Sequence, residues 1–298
     1  MLKLENINKT FGNKVAISNL NFEVKEGQIL GLIGQNGAGK STTFRMILDF
    51  IKPDSGKILW DNQEFVRSEI SIGFMPEERG LYQRETIINQ MNYFADLHGM
   101  PRAKMRIELK EWMKRLGVVG ELEDKIESLS KGNAQKIQLI ATMLFKPKLL
   151  ILDEPFSGLD PVNANFLLKE IQRAKEDGAV IIFSTHNMEN IEKIADKIVM
   201  LKHGQTVLNG SITDIYEEYQ RLNLRLGGLK DENILSKYLG IKRVIRNTDG
   251  TLSLKLDSEK LGESIFRDIV RNQGYIPIFE QSYPTLDEIF KLKTGEKS

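Results

Sequence analysis

The sequence predicts an α/β protein. Its central sheet presents a ligand-binding edge, with antiparallel strands ahead of it, a helical insertion within it and a small α+β domain behind it. Three observations carry that prediction. Short continuous apolar runs, Ile29 to Ile33, Leu149 to Leu152 and Ala179 to Phe183, read as strands covered on both faces, the pattern of a parallel sheet. Helical periodicity follows two of them, in Phe44, Ile47 and Leu48 and in Val162, Phe166, Leu167, Ile171 and Ala174. Between the first run and its helix, Gly34-Gln35-Asn36-Gly37-Ala38-Gly39-Lys40-Ser41-Thr42 fits G-x-x-x-x-G-K-[ST].

That string is a phosphate-binding loop, and the physics requires these residue types at this spacing. Gly34, Gly37 and Gly39 are expected to take positive φ, so that successive N–H groups point into one concavity with no Cβ in the way. A helix is expected from Gly39 or Lys40, and its unpaired N–H groups and positive dipole end would face the same anion. Lys40 supplies an ammonium for the terminal phosphates, and Ser41 a hydroxyl for Mg²⁺. The fold class is therefore a P-loop NTPase core with an antiparallel β subdomain and a helical insertion.

The totals set outer bounds. The chain has 298 residues, enough for one large domain or two. With 42 Lys+Arg against 41 Asp+Glu the net charge is +1, so nothing in the balance calls for a nucleic-acid partner. The absence of Cys excludes disulfides, thiol catalysis and thiolate metal sites. No apolar run approaches the ~18 to 20 residues that span a bilayer, and Met1-Leu-Lys-Leu-Glu-Asn6 lacks the apolar core of a signal peptide, so a soluble protein is expected.

In chain order, residues 2 to 8 and 19 to 24 alternate apolar and polar, predicting half-buried antiparallel strands. Phe11 falls in the turn between them, where a ring is a packing residue or a platform for an adenine. After the first helix, Lys52 to Gly56 is a turn, Lys57 to Trp60 a strand, and Ser71 to Met75 a strand halted by Pro76. From about residue 84 to 145 the spacing becomes helical. Ile87, Ile88, Met91 and Phe94 mark one helix, and Ile107, Leu109, Trp112, Met113 and Leu116 another. Ser130 and Gly132 then open a helix carrying Ile137, Ile140, Ala141 and Leu144, either as a plain N-cap or as a second anion site.

Leu149 to Leu152 runs into Asp153 and Glu154. Ligands of parallel sheets bind at strand carboxyl ends, and two like charges ~4 Å apart repel by about 4 kcal/mol at an effective dielectric of 20. Mg²⁺ with a nucleotide would offset them, the first acid holding the metal and the second orienting or deprotonating a water. His186, after the strand Ala179 to Phe183, is expected at the same edge and within reach of a γ-phosphate. Lys197 to Leu201 and Gln205 to Leu208 form a hairpin, and Ser211 to Asp214 a capping box. The core domain is placed at residues 1 to 220. Residues 223 to 298 form a small α+β accessory domain with alternation at Leu252, Leu254 and Leu256, one helix carrying Leu261, Ile265, Phe266 and Ile269, and a solvated Lys-rich end.

Phe11, Gly34 to Ser41, Met75-Pro76-Glu77, Leu129 to Gln135, Leu149 to Glu154, Ser157 to Asp160 and His186, in that order, resemble the nucleotide-binding subunit of an ATP-binding cassette (ABC) transporter. Pro76-Glu-Glu-Arg-Gly-Leu-Tyr82, Lys131-Gly-Asn133 and Pro284-Thr-Leu-Asp-Glu-Ile-Phe290 resemble, within it, single-cassette bacterial exporters of the sodium-extrusion and drug or peptide export type. The resemblance implies an ATPase using ATP and Mg²⁺. Phe11, the loop from Gly34 to Thr42, Ser130, Gly132 and Asp160 would contact nucleotide, and Ser41, Glu77 and Asp153 the metal. Glu154, with Lys40 and His186, would carry the chemistry.

It also implies two head-to-tail copies enclosing two ATP molecules, Ser130 and Gly132 closing over the neighbour's nucleotide. A separate transmembrane permease would hold the subunit at the cytoplasmic face of the membrane. Three positions depart from the family pattern: Glu77 stands where Gln is usual, Lys131 replaces a Gly, and Asn133 stands in place of Gln. A permease-free cassette acting on ribosomes or DNA is the alternative, but such proteins carry two cassettes or long coiled-coil insertions, and neither is present. A kinase or GTPase reading lacks an Asn-Lys-x-Asp string and leaves Ser130 and Gly132 unexplained.

Overall fold

The computed structural model describes residues 1–78 and 80–295. Arg79, within the 76–82 motif, and residues 296–298 of the Lys-rich end lie outside them. The described chain divides into two compact units, Met1–Gly210 and Ser211–Ser298.

The first unit contains β1 (Leu2–Phe11), β2 (Lys14–Val24), β3 (Ile29–Ile33), α1 (Lys40–Ile47), β4 (Ser55–Trp60), β5 (Gln63–Glu64), β6 (Ile72–Met75), α2 (Ile87–Leu97), α3 (Arg102–Arg115), α4 (Lys131–Met143), β7 (Leu149–Asp153), α5 (Pro161–Glu176), β8 (Val180–Thr185), α6 (Met188–Ile194), β9 (Lys197–Lys202) and β10 (Gln205–Ser211). Its ten strands are ordered β5-β4-β1-β2-β10-β9-β3-β8-β7-β6. The end holding β4, β1 and β2 is antiparallel, and the run β9-β3-β8-β7-β6 is parallel. Phe11 closes β1 rather than lying in the turn that follows. His203 and Gly204, both at positive φ, make the two-residue turn between β9 and β10 that the twist of a hairpin favours.

All residues of β3, β7 and β8 are buried, as their unbroken apolar runs require. The register then fixes the functional edge. Ile33 lies beside Thr185 and Asp153 beside Ser184, so Gly34, Glu154 and His186 emerge from three adjacent strand ends at one level. α1 buries Phe44, Met46 and Ile47 against this sheet in a core shared with Leu4, Leu20, Leu32, Ile151 and Ile182.

The helical insertion forms as α2, α3 and α4, but α3 presents a different face from the one its apolar residues suggested. Met105, Leu109 and Met113 are buried, whereas Ile107 is 62% exposed. Two residues of helix are a 200° turn, so Ile107 cannot share a face with Leu109. Val162, one residue into α5, is likewise exposed while Leu167 and Ile171 are buried.

The second unit contains α7 (Ile212–Glu217), β11 (Asn223–Gly227), β12 (Ile241–Arg246), β13 (Leu252–Leu256), α8 (Glu259–Gln273), β14 (Ile278–Ser282) and α9 (Leu286–Thr294). Ser211 caps α7 by accepting the Asp214 N–H, and Tyr216 of α7 stacks on Tyr283, placing α7 with this unit rather than with the core domain expected to end at residue 220. The sheet, ordered β12-β13-β11-β14, is antiparallel throughout. Ile265 and Ile269 of α8 pack on Leu224, Leu226, Leu252, Leu254 and Leu256. Phe266 is turned aside, half exposed and edge-on to Phe279. α9 is a second helix beyond the one expected, started by a reciprocal capping box between Thr285 and Glu288.

Candidate active site

The loop after β3 curls because two of its glycines take conformations closed to other residues. Gly37 has φ 80° and Gly39 φ 114°. A Cβ on Gly39 would lie 2.5 Å from Ile17 Cδ1 and 2.9 Å from the Ala16 carbonyl oxygen. Gly34 differs from expectation, since it does not adopt positive φ. It is required by close approach: a Cβ there would meet the Leu201 carbonyl oxygen at 2.7 Å and Ala38 Cβ at 2.8 Å. α1 starts at Lys40 with no side-chain cap, leaving its first N–H groups to the loop's concavity.

Lys40 is buried, and its ammonium donates to the Gly34 carbonyl oxygen at 2.6 Å and lies 3.7 Å from Glu154 Oε1. Ser41 Oγ donates to Asp153 Oδ2 at 3.1 Å, and Ser184 Oγ to Asp153 Oδ1 at 2.5 Å. Ser184 Oγ also accepts the Glu154 N–H at 3.0 Å, so one fully buried hydroxyl holds both acids. The sequence alone gives Ser184 no role. The contact follows from the register of β8 beside β7, which sets Ser184 next to Asp153.

Glu154 has φ 48°, a left-handed conformation unusual for a non-glycine, which turns the chain sharply at the end of β7. Its side chain is 7% exposed, with Oε2 3.0 Å from His186 Nδ1 and Oε1 without a hydrogen-bond partner. A proton on Nδ1 makes the first contact a hydrogen bond and leaves Nε2 outward on a ring that is 71% exposed.

Lys40, Ser41, Asp153 and Glu154 border a cavity of about 370 Å³, also lined by Phe11, Gln35, Asn36, Gly37, Gly39, Thr42 and Glu77, and His186 stands next to it through Glu154. Phe11 is half exposed, with the Lys9 ammonium 5.5 Å from its ring centre. Ser130 and Gly132 do not line this cavity. Ser130 caps α4 by accepting the Asn133 N–H, and Asn133 Oδ1 in turn accepts the Val119 N–H. Asp160 lies outside the cavity too. It caps α5 through the Asn163 backbone and side-chain N–H groups, which hold its carboxyl below the usual range. Of the sequence-predicted site residues, Phe11, Gln35 to Gly37, Gly39 to Thr42, Glu77, Asp153 and Glu154 line the cavity, Gly34 and His186 contact lining side chains, and Ser130, Gly132 and Asp160 lie at two helix starts.

The donor set around the cavity suits a hard cation bound together with phosphate. Ser41 and Asp153 offer oxygen only, and among the described residues no cluster of three or more His, Asp or Glu could hold a metal unaided. Mg²⁺ is commonly held by one or two protein oxygens with the rest from phosphate and water.

A glycine-cradled phosphate loop, a strand-end carboxylate bonded to the loop's serine, and a second carboxylate beside its lysine define a P-loop ATPase. The particular family follows from comparison. A family model described as ABC transporter matches residues 17–157, and one described as ATP-binding protein DrrA1-3-like, C-terminal domain, matches residues 210–294. The ABC transporter ATP-binding protein YhaQ of Bacillus subtilis (strain 168) is 39% identical over 99% of both chains. The linearmycin resistance ATP-binding protein LnrL of the same organism is 30% identical, over 99% of this chain and 98% of its own. A solved ATP-binding subunit of an ABC transporter has a TM-score of 0.68 at 28% identity, over 73% of this chain and 92% of that one. For cbiO1 from Clostridium perfringens, part of the ABC transporter complex cbiONQ, the TM-score is 0.62 at 28% identity, over 73% and 90%. The chain belongs to the ABC transporter ATP-binding proteins, the ATPase subunits of transporter complexes, which use ATP with Mg²⁺. Among the described residues no helix is long and apolar enough to cross a membrane.

Proposed function

We propose that the chain pairs head-to-tail with a second copy on binding ATP and drives export through a separate transmembrane permease, held by that permease at the cytoplasmic face of the membrane. The observation that carries this reading is the split of the site. The groups fit for phosphate, metal and water activation line one cavity, whereas Ser130, Gly132 and Asp160 stand at two helix starts outside it. A second copy, antiparallel to the first, would bring Ser130 and Gly132 over the neighbour's terminal phosphate, with the start of α4 directed at the anion.

Within one copy, the loop's backbone N–H groups and Lys40 would bind the β- and γ-phosphates, and Phe11 would stack on the base. Ser41 and Asp153 would hold Mg²⁺, with Glu77 at the rim of the same cavity; the ion neutralises phosphoryl oxygens when bound. Glu154 Oε1 would take the proton of the attacking water while His186 steadies Oε2 and offers Nε2 to the γ-phosphate. Hydrolysis then removes the contacts that bridge the two copies, and their separation is the stroke passed to the permease. The relative named for linearmycin resistance supports export as the direction.

Light scattering on the Glu154→Gln protein tests the pairing. ATP with Mg²⁺ is expected to double its mass, and a monomer at saturating ATP overturns the clamp. Affinity purification from detergent-solubilised membranes tests the permease, and recovery of ribosomes in place of a polytopic membrane protein overturns it.

A further inference from the structure

The phosphate cavity carries three carboxylates, Glu77, Asp153 and Glu154, against two cations, the buried Lys40 and the exposed Lys14. Asp153 is held by two hydroxyls, and Glu154 faces Lys40 and His186. Glu77 makes no ion pair among the described residues. It also lines a second, smaller cavity of about 110 Å³, shared with Glu154, Ser157, Gln135, Gln138 and Lys131. Among the described residues Lys131 is the one cation of that lining, and it too makes no ion pair.

The placement of Lys131 runs against its own helix. It is the first residue of α4, where the dipole disfavours positive charge, and the first turn of α4 has no acid to relieve it. Its ammonium is nonetheless folded back over the turn that follows Glu154. A Cβ on Gly158, at φ 72°, would lie 2.7 Å from Lys131 Nζ.

Two further residues of the same helix explain how it is held there. Gln135 Nε2 donates to the carbonyl oxygens of Pro155 at 3.0 Å and Ser157 at 3.4 Å, just after Glu154. Gln138 Nε2 donates to those of Pro76 at 3.1 Å and Glu78 at 3.3 Å, on either side of Glu77. Lys131, Gln135 and Gln138 are spaced i, i+4, i+7 and share one helix face. That face therefore grips the segments bearing both acids, and Lys131 and Glu77 line the same small cavity.

We propose that Lys131 is a positioning residue acting within its own copy as the counter-ion of Glu77, so that the third carboxylate at the phosphate cavity does not repel a bound triphosphate. The inference rests on the ATP-binding reading of that cavity. It makes the departures at positions 77 and 131 a matched pair: a charge added at the rim and a charge of opposite sign added on the helix that grips the same segment.

The test is a double-mutant cycle on the full chain, reading the dissociation constant of a fluorescent ATP analogue with Mg²⁺. Lys131→Met should weaken binding about tenfold when Glu77 is present and less than about twofold when position 77 is changed by Glu77→Gln, because the charge it balances has gone. Lys131→Arg should stay within about threefold of the parent, since it keeps the charge. Both side chains are exposed, and unchanged thermal midpoints will exclude misfolding. An equal loss in both backgrounds overturns the pairing and assigns Lys131 to direct phosphate contact. Failure of the parent to bind the analogue at all would instead overturn the reading of the cavity.

Discussion

Replacing Glu154 by Gln separates catalysis from stability in this site. The carboxylate and the Lys40 ammonium are 3.7 Å apart and nearly buried, which at an effective dielectric of about 20 corresponds to an attraction of about 4 kcal/mol. Keeping a carboxylate out of water costs several kcal/mol in its turn, and Oε1 has no hydrogen bond to offset that cost. The two largely cancel, and the left-handed backbone at residue 154 is as strained with Gln as with Glu. Stability should therefore change by no more than about 2 kcal/mol in a urea titration followed by circular dichroism. Steady-state ATP hydrolysis, by contrast, should fall by about 10² to 10⁴, the usual contribution of a general base. ATP affinity should hold or tighten, because one negative charge beside the phosphates is gone. Hydrolysis at the parental rate would refute the base assignment, and loss of ATP binding would refute the electrostatic argument.

Ser184→Ala should destabilise the first unit by about 1 to 3 kcal/mol in chemical denaturation, because it leaves Asp153 Oδ1 and the Glu154 N–H short of a partner in a fully buried place. A change below about 0.5 kcal/mol would mean the hydroxyl bridge is replaceable. Glu170→Ala removes a buried carboxylate between Arg115 of α3 and Arg173 of α5, and should cost about 1 to 3 kcal/mol, less than a fully buried pair because both arginines reach solvent. Raised protease sensitivity in residues 102–115 should accompany it, and unchanged digestion would sink the idea that this carboxylate holds α3 to the core. His98 stacks on Phe145 with ring centres 4.4 Å apart, and burial lowers its pKa from 6.5. A lowered folded value means the unfolded chain binds the proton more readily, so this contribution is present above pH 6.5 and is lost as pH falls through 6.5 toward the folded value. His98→Phe should flatten the stability profile in that window, and an unchanged slope would show that His98 does not titrate against folding.

Much of the site was legible because its chemistry is local in sequence. The phosphate loop spans nine residues, and Asp153 with Glu154 announces itself at the end of an apolar run. What escaped is set by contacts between distant segments. The need for glycine at position 34 comes from Leu201, on a strand more than 160 residues away. Ser184 acquires its role only because β8 lies beside β7 in a register that sets it against Asp153. Ile107 and Val162 look like core residues in a list of apolar positions, and only the phase of the helix turns them outward. Likewise α7 belongs with the second unit through a stacked pair of tyrosines that no linker composition reveals. The helix α9, by contrast, carried a legible capping box in Thr285 and Glu288.

The tether between the Lys40 ammonium and the Gly34 carbonyl bears on affinity. A lysine side chain free in water surrenders up to about 2 kcal/mol of rotational freedom when it is fixed. Here that loss accompanies folding, since the chain's own oxygen already aims the ammonium into the cavity. An arriving polyphosphate meets a cation whose ordering is already complete, so less of the contact energy is spent on fixing it.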